Sequence, residues 1–260
     1  MKWVFQKLGL LQLAAPLLQL PGHKSKINTI SQDQQMKPKK EKKTVENENE
    51  YENLINEAVD TALTIMASGK WKEEKTQGQD VVQSCIVPVY GKVFRFIGIV
   101  NWPLEHFLNE IFYKVEHVPK WNPTVTETKI LRRINEQTDI IHIVSAPGAK
   151  GLVSGRDFVT LRTWQRRGNS IIHGMVSVTV PEMPEQPPRV RGEQGPSVYI
   201  LTPVEGCPNK CQMQWLSNAN LRGWLPQYLI DQAMSTVMLD YVANLRKYVN
   251  SQTQTFRQFH

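Results

Sequence analysis

Residues 155–180, GRDFVTLRTWQRRGNSIIHGMVSVTV, decide the fold. Two runs rich in β-branched and aromatic residues, Asp157–Arg167 and Ser170–Val180, flank Gly168-Asn169, a pair that favours a tight turn. Strands joined by so short a loop run antiparallel, because a parallel pair needs a crossover.

The same pattern continues outward on both sides. TVTETKILRRI (Thr124–Ile134) and DIIHIVSA (Asp139–Ala146) precede the hairpin, with a turn at Asn135. SVYILTPV (Ser197–Val204) and KCQMQWLSNANL (Lys210–Leu221) follow it, separated by turns at Pro184–Pro188 and Pro208-Asn209. Further upstream, CIVPVY (Cys85–Tyr90) and KVFRFIGIV (Lys92–Val100) also read as strands. Successive strands with short loops predict an antiparallel meander.

Three stretches break this rhythm with helical spacing. Leu54, Ile55, Ala58, Ala62, Ile65 and Met66 predict a helix that stops at Ser68-Gly69. Residues 101–118 predict one amphipathic helix through Leu104, Phe107, Leu108 and Ile111, with Pro103 in its first turn. The longest runs from Pro226 to Asn250, with an apolar stripe of Ile230, Met234, Val237, Met238, Tyr241 and Leu245. The expected class is α+β: one curved antiparallel sheet, helices to one side, and a long C-terminal helix covering the open mouth.

This domain is expected over 50–250, with an extension at 1–49 and a tail at 251–260. Residues 24–50 are polar and charged, too poor in apolar surface to order themselves, and read as a linker. MKWVFQKLGLLQLAAPLLQLPG has two lysines and no acid. A secretory signal, a mitochondrial presequence within residues 1–26 and an amphipathic membrane-contacting helix all stay open. No apolar stretch reaches the roughly 20 residues that span a bilayer.

The net charge of +7 is compatible with nucleic acid, an anionic membrane or an acidic partner. The basic residues cluster only at Lys37–Lys43, Arg132–Arg133, Arg166–Arg167 and Arg246–Lys247, with no nucleic-acid-binding pattern around them. Three cysteines, Cys85, Cys207 and Cys211, are too few for a disulfide framework or a zinc site and point to a reducing compartment. Catalytic signatures are missing: there is no P-loop, no nucleophile elbow and no zinc-protease helix. None of the six histidines has a partner at triad or ligand spacing. His142 and His173 sit in strand patterns and read as structural. Asp157 reads as a local ion-pair or turn residue at a strand start.

Eight ordered segments then match one known family. They are GKVFRF (Gly91–Phe96), WNPTV (Trp121–Val125), GRDFVTLR (Gly155–Arg162), RRG (Arg166–Gly168), MPEQ (Met183–Gln186), RGEQGP (Arg191–Pro196), GWLPQYLIDQ (Gly223–Gln232) and ANLRKYV (Ala243–Val249). The chain resembles the START lipid-transfer family from about residue 50 to 250, and within it the cholesterol-binding subgroup that includes carotenoid carriers. The resemblance implies a helix-grip fold with a lipid tunnel between sheet and last helix, no enzymatic step, no cofactor and no metal. It implies a cytoplasmic, membrane-associated monomer that carries a sterol such as cholesterol, or a carotenoid. A lipid-sensing module that signals to a partner protein is the alternative.

In the resembled subgroup a tunnel arginine pairs with an acid on the neighbouring strand. The arginine matches Arg162, but the acid's position holds Ile143. The expectation is therefore a more apolar tunnel that favours a carotenoid. Ser145 and the small-residue stretch SAPGAKGLVSG, with Gly148, Gly151 and Gly155, match a loop near the tunnel mouth that can serve as a gate. Trp215, Met234 and Met238 are candidate lining residues, and Trp121 is expected to fix a strand start. Lys37–Lys43 and Arg246–Lys247 are candidates for membrane contact.

Overall fold

The computed structural model describes residues 47–147 and 154–258. Helix α1 (Glu48–Ser68) begins where the Asn47 side chain accepts a hydrogen bond from the Glu50 amide. Glu48 and Glu50 lie in its first turn, where acids suit the helix dipole. It ends as the Gly69 amide donates to the Ile65 carbonyl.

The strands are β1 (Lys72–Gln77), β2 (Asp80–Val87), β3 (Gly91–Val100), β4 (Val125–Asn135), β5 (Thr138–Ser145), β6 (Arg156–Arg167), β7 (Ser170–Ser177), β8 (Val190–Arg191), β9 (Glu193–Gln194), β10 (Ser197–Val204), β11 (Cys207–Ser217) and β12 (Ala219–Asn220). The main sheet runs in the order β1-β2-β3-β11-β10-β7-β6-β5-β4. β8 adds in parallel to the start of β6, and β9 pairs with β12 in a small second sheet. The antiparallel meander expected from the turns is observed, with β11 returning to pair with β3, so that β1 and β4 form the two edges.

Strand alternation gives the sheet two apolar faces. On the outer face, α1 packs against β6, β7 and β10. Its Val59, Ala62, Ile65 and Met66 meet Val93, Ile172, Val198 and Leu216, while Tyr51, Ile55 and Ala58 meet Ile140, Val159 and Leu161. Gly174 lies under Val59, and any side chain there would collide with it. On the inner face, helix α4 (Gln227–Gln258) covers β1, β2 and β3 and shares a core with Phe96, Val100, Leu201 and Met213. Helices thus lie on both faces, not one, because strands such as β5 and β7 are buried on both sides.

Three local expectations also change. The segment after β3 is not one helix: it divides into α2 (Leu104–Leu108), a π-turn (Asn109–Tyr113), a short turn (Val115–His117) and α3 (Val118–Trp121). The strand reading of Cys85–Tyr90 stops at Val87, and the chain turns through Pro88–Tyr90. The last helix continues beyond Asn250 to Gln258.

Candidate functional site

The inner face of β6 carries Phe158, Thr160, Arg162 and Trp164 by alternation. Directly opposite Arg162 on β5 stands Asp139. Arg162 Nε donates to Asp139 Oδ1 at 2.9 Å and Nη2 donates to Oδ2 at 2.8 Å, a two-pronged charged contact. Arg162 is 2% exposed and Asp139 is fully buried, so neither has water to fall back on.

The remaining donors tie the π-turn to the sheet. Arg162 Nη1 donates to the Ile111 carbonyl at 2.9 Å, and Nη2 to the Phe112 carbonyl at 3.1 Å. Carbonyls at the end of a helical turn have no partner within the turn, and Arg162 supplies it. The Phe112 ring centroid lies 4.7 Å from the guanidinium. Among the described residues, four of the five guanidinium N–H groups are engaged, which leaves one on Nη1.

This corrects the expectation at Ile143. That residue lies on the same inner face, opposite Phe158, and carries no charge. The carboxylate stands at Asp139, further along the same strand. The inner face has not lost its acid, and the case for a carotenoid built on that loss falls with it.

An aromatic row leads away from Arg162. His173 on β7 stacks on Tyr199 of β10 with centroids 5.8 Å apart, Tyr199 meets Trp215 of β11 at 5.4 Å, and Trp215 meets Tyr241 of α4 at 5.1 Å. His173 Nδ1 donates to the Thr163 carbonyl at 2.9 Å. Burial, helped by the Arg162 charge, pushes its pKa down to about 3, so the ring is neutral. Burial raises both the Tyr199 and Tyr241 phenols, that of Tyr241 to about 12. Tyr241 nonetheless retains accessible surface.

The α4 residues named from sequence divide in two. Met238 is fully buried in the inner core, whereas Met234, one turn earlier, is only partly covered. Trp215 also keeps accessible surface and packs on the same core. Trp121 closes the row's far end, 5.3 Å from Tyr241 and stacked on Tyr248 at 6.2 Å.

Ser145 sits at the end of β5, where its hydroxyl accepts from the Arg156 amide at 2.9 Å. A Cβ on Gly155 would lie 2.8 Å from the Ser145 carbonyl, so glycine allows the chain to pass. Gly148 and Gly151 lie outside the described residues, as do Lys37–Lys43 and the segment read as a targeting signal.

His142 does have a partner. Its Nε2 lies 2.9 Å from Asp157 Oδ2, which also accepts from Arg191 Nε at 3.0 Å and Nη2 at 2.7 Å. Asp157 pairs with distant residues, and not with its neighbour Arg156. Burial alone would raise the Asp157 carboxyl, but the hydrogen bonds from Arg191 and His142 outweigh it and hold the pKa below its usual value. This group shares strand parity with Val159 and Leu161 of the outer core, and so lies across the sheet from Arg162.

The arginine clusters are also paired. Arg132 meets Glu182, Arg166 meets Glu105, and Arg167 meets Asp60. Arg246, expected to contact membranes, instead grips Asp80 through Nη1 at 2.5 Å and Nη2 at 2.7 Å, and its Nε donates to the Ile99 carbonyl. It fastens α4 to β2 and β3. Lys247 stays exposed.

Sequence reasoning missed Asp139 and Tyr199. Asp139 was legible in principle, since it shares strand parity with Ile141 and Ile143.

A family model described as START domain matches residues 51–255. Steroidogenic acute regulatory protein, mitochondrial, from Equus caballus is 39% identical over 197 residues, covering 75% of this chain and 69% of that protein. The protein of the same name from Gallus gallus is 36% identical over 209 residues, covering 80% and 74%. Among solved structures, human StAR-related lipid transfer protein 5 superposes with a TM-score of 0.74 at 24% identity, covering 80% of this chain and 100% of that one. Human STARD10 gives 0.66 at 17% identity, covering 85% and 86%. These two structures share the fold.

Proposed function

From the chain's membership of the START domain family, a family of lipid-binding and lipid-transfer domains, we propose that it carries one neutral sterol-like lipid at a time, without chemistry on its cargo. The observation that carries this reading is the buried Asp139–Arg162 pair at one end of an aromatic row. A sterol has a large apolar body and few oxygens. Enclosing it gains about 25 cal/mol per Å² of apolar surface removed from water, so the chamber needs few polar groups. The unengaged N–H of Arg162 suits one sterol oxygen, and the carboxylate behind it holds the guanidinium in place.

Trp215, Met234 and Tyr241 line the path of the apolar body in this reading. Met238 supports them from the core, and Ile143 with Phe158 forms an apolar wall beside the polar end. Ser145 and Gly155 fix the root of the mouth loop. Opening requires the first turns of α4 to move, since Arg246 fastens its other half. Trp224 (91% exposed) and Tyr228 at that end suit the interface of a membrane, where amphipathic aromatics settle. No helix of the described residues is long and apolar enough to cross a membrane. In this reading the carrier works at membrane surfaces, and residues 1–26 serve as an address or contact segment.

The test is transfer of a labelled sterol between vesicles. A rate proportional to protein concentration supports a carrier. Sterol binding without transfer would favour a lipid-sensing module.

A further inference from the structure

The two halves of α4 are fastened differently. The second half is held by an ion pair, with Arg246 Nη2 at 2.7 Å from Asp80 Oδ1. The first half follows a linker, residues 221–223, that belongs to no strand or helix. Its backbone is unfavourable: Arg222 (φ 48°) and Gly223 (φ 71°) are both left-handed, and arginine rarely takes that conformation. Side chains hold it there. Asn220 Oδ1 accepts from the Arg222 amide at 2.9 Å, and the Arg222 side chain meets Glu193.

The linker is also held by Arg156, the first residue of β6, which by alternation shares the inner face with Phe158 and Arg162. Its Nε donates to the Leu221 carbonyl and its Nη2 to the Arg222 carbonyl, both at 3.3 Å. Its Nη1 donates to the Ser154 carbonyl at 2.5 Å, and its amide donates to Ser145 Oγ. One residue thus joins the end of β5 and the start of β6 to the segment that leads into α4. Arg156 is 6% exposed, and burial pushes its pKa down. Among the described residues no carboxylate pairs with it. Bonds from a guanidinium to neutral carbonyls are longer and weaker than a charged pair. The helix is therefore clamped firmly at its rear and lightly at its front.

We infer that Arg156 is a releasable clasp on α4, a positioning residue that sets how fast the first turns of the helix leave the sheet and how fast lipid enters and leaves. The inference rests on the carrier reading above. Arg156 reaches α4 through the linker, outside the residues assigned to the lipid path. Loosening it speeds entry and release together and leaves affinity nearly unchanged, because the clasp does not distinguish the filled chamber from the empty one.

The test compares the wild-type full chain with Arg156→Lys, which keeps the charge but lacks the fork that reaches three carbonyls. Release of labelled cholesterol to acceptor vesicles should be about tenfold faster in the variant, the order expected for losing hydrogen bonds to a charged group. Its equilibrium affinity should change by less than about twofold. In lipid-free wild-type protein, hydrogen exchange should be faster over residues 230–236 than over 242–249, and Arg156→Lys should accelerate the first stretch alone. An unchanged release rate, or weaker binding without faster release, overturns the inference. So does wild-type exchange that is no faster at the front of α4, a result that stands even where the variant does not fold. Wild-type protein that binds no cholesterol overturns the sterol reading instead, and the exchange comparison, which needs no lipid, still decides the clasp.

Discussion

Asp139 stands directly opposite Arg162 across β5 and β6, and its two carboxylate oxygens accept from Nε and Nη2 of the same guanidinium. The pair does two jobs. It keeps a charged donor inside the buried interior, and it leaves Arg162 able to hold the Ile111 and Phe112 carbonyls of the π-turn. Removing one partner leaves the other charged and buried. Asp139→Asn should destabilise the protein by about 3–5 kcal/mol, read from urea unfolding. An Asp139→Leu, Arg162→Met double variant should be closer to the wild type in stability, yet lose lipid binding. Similar stability in Asp139→Asn and the wild type would mean that Arg162 is satisfied without the acid.

The His173 ring is held neutral, with a pKa near 3 against about 6.5 in the unfolded chain. Between those values the unfolded chain binds a proton that the folded chain refuses. Stability therefore falls as pH drops through this window, by at most about 1.4 kcal/mol per pH unit from this residue. The lowered Asp157 carboxyl acts in the same sense at lower pH, its contribution disappearing as the group protonates. The two are separable: His173→Gln should flatten the dependence between pH 6.5 and 4 while leaving the steeper loss below it. Measured stability that is flat across that window in the wild-type protein would contradict a buried neutral His173.

Met234 and Met238 look alike in sequence and differ in the fold. Met238 is fully buried, so Met238→Ala should cost about 2–5 kcal/mol of stability. Met234 is only partly covered, and in the proposed reading lines the lipid path, so Met234→Ala should cost under about 1.5 kcal/mol and weaken lipid binding more than it weakens the fold. Thermal unfolding and lipid binding, measured on both variants, separate a core residue from a lining one. Equal losses of stability would show that α4 buries both alike.

Arg246 fastens α4 through Asp80 and the Ile99 carbonyl. Asp80 is 7% exposed, so the contact is protected from water on one side. Arg246→Ala should accelerate hydrogen exchange in the second half of α4 and leave the first turns nearly unchanged. It should not alter liposome binding. Weaker liposome binding with unchanged exchange would return Arg246 to the membrane surface.

Much of this was legible in the sequence, and the exceptions have physical reasons. The hairpin at Gly168-Asn169 announced the meander, because strand alternation and turn chemistry are local. β1, KEEKTQ, gave no signal because all six residues are exposed and the strand is held by pairing with β2 and by contact with α4, both distant in kind from any local pattern. The division of residues 104–121 was hidden for the opposite reason. Its apolar spacing suits a helix, and only Arg162, far away in sequence, captures the carbonyls at which the winding changes. Asp139 was not legible as the partner of Arg162, because the resembled family places its acid at position 143. Strand parity puts both positions on one face, but only the register with β6 shows which of them meets Arg162.

The central claim is that the space between the inner face of the sheet and α4 holds one neutral sterol-like lipid. The most direct measurement is extraction and mass analysis of lipid from the purified full chain after incubation with mixed-lipid vesicles. Close to one sterol per chain is expected, lost in the Asp139→Leu, Arg162→Met double variant. Recovery of a phospholipid or carotenoid in place of sterol, or of no lipid, would contradict it.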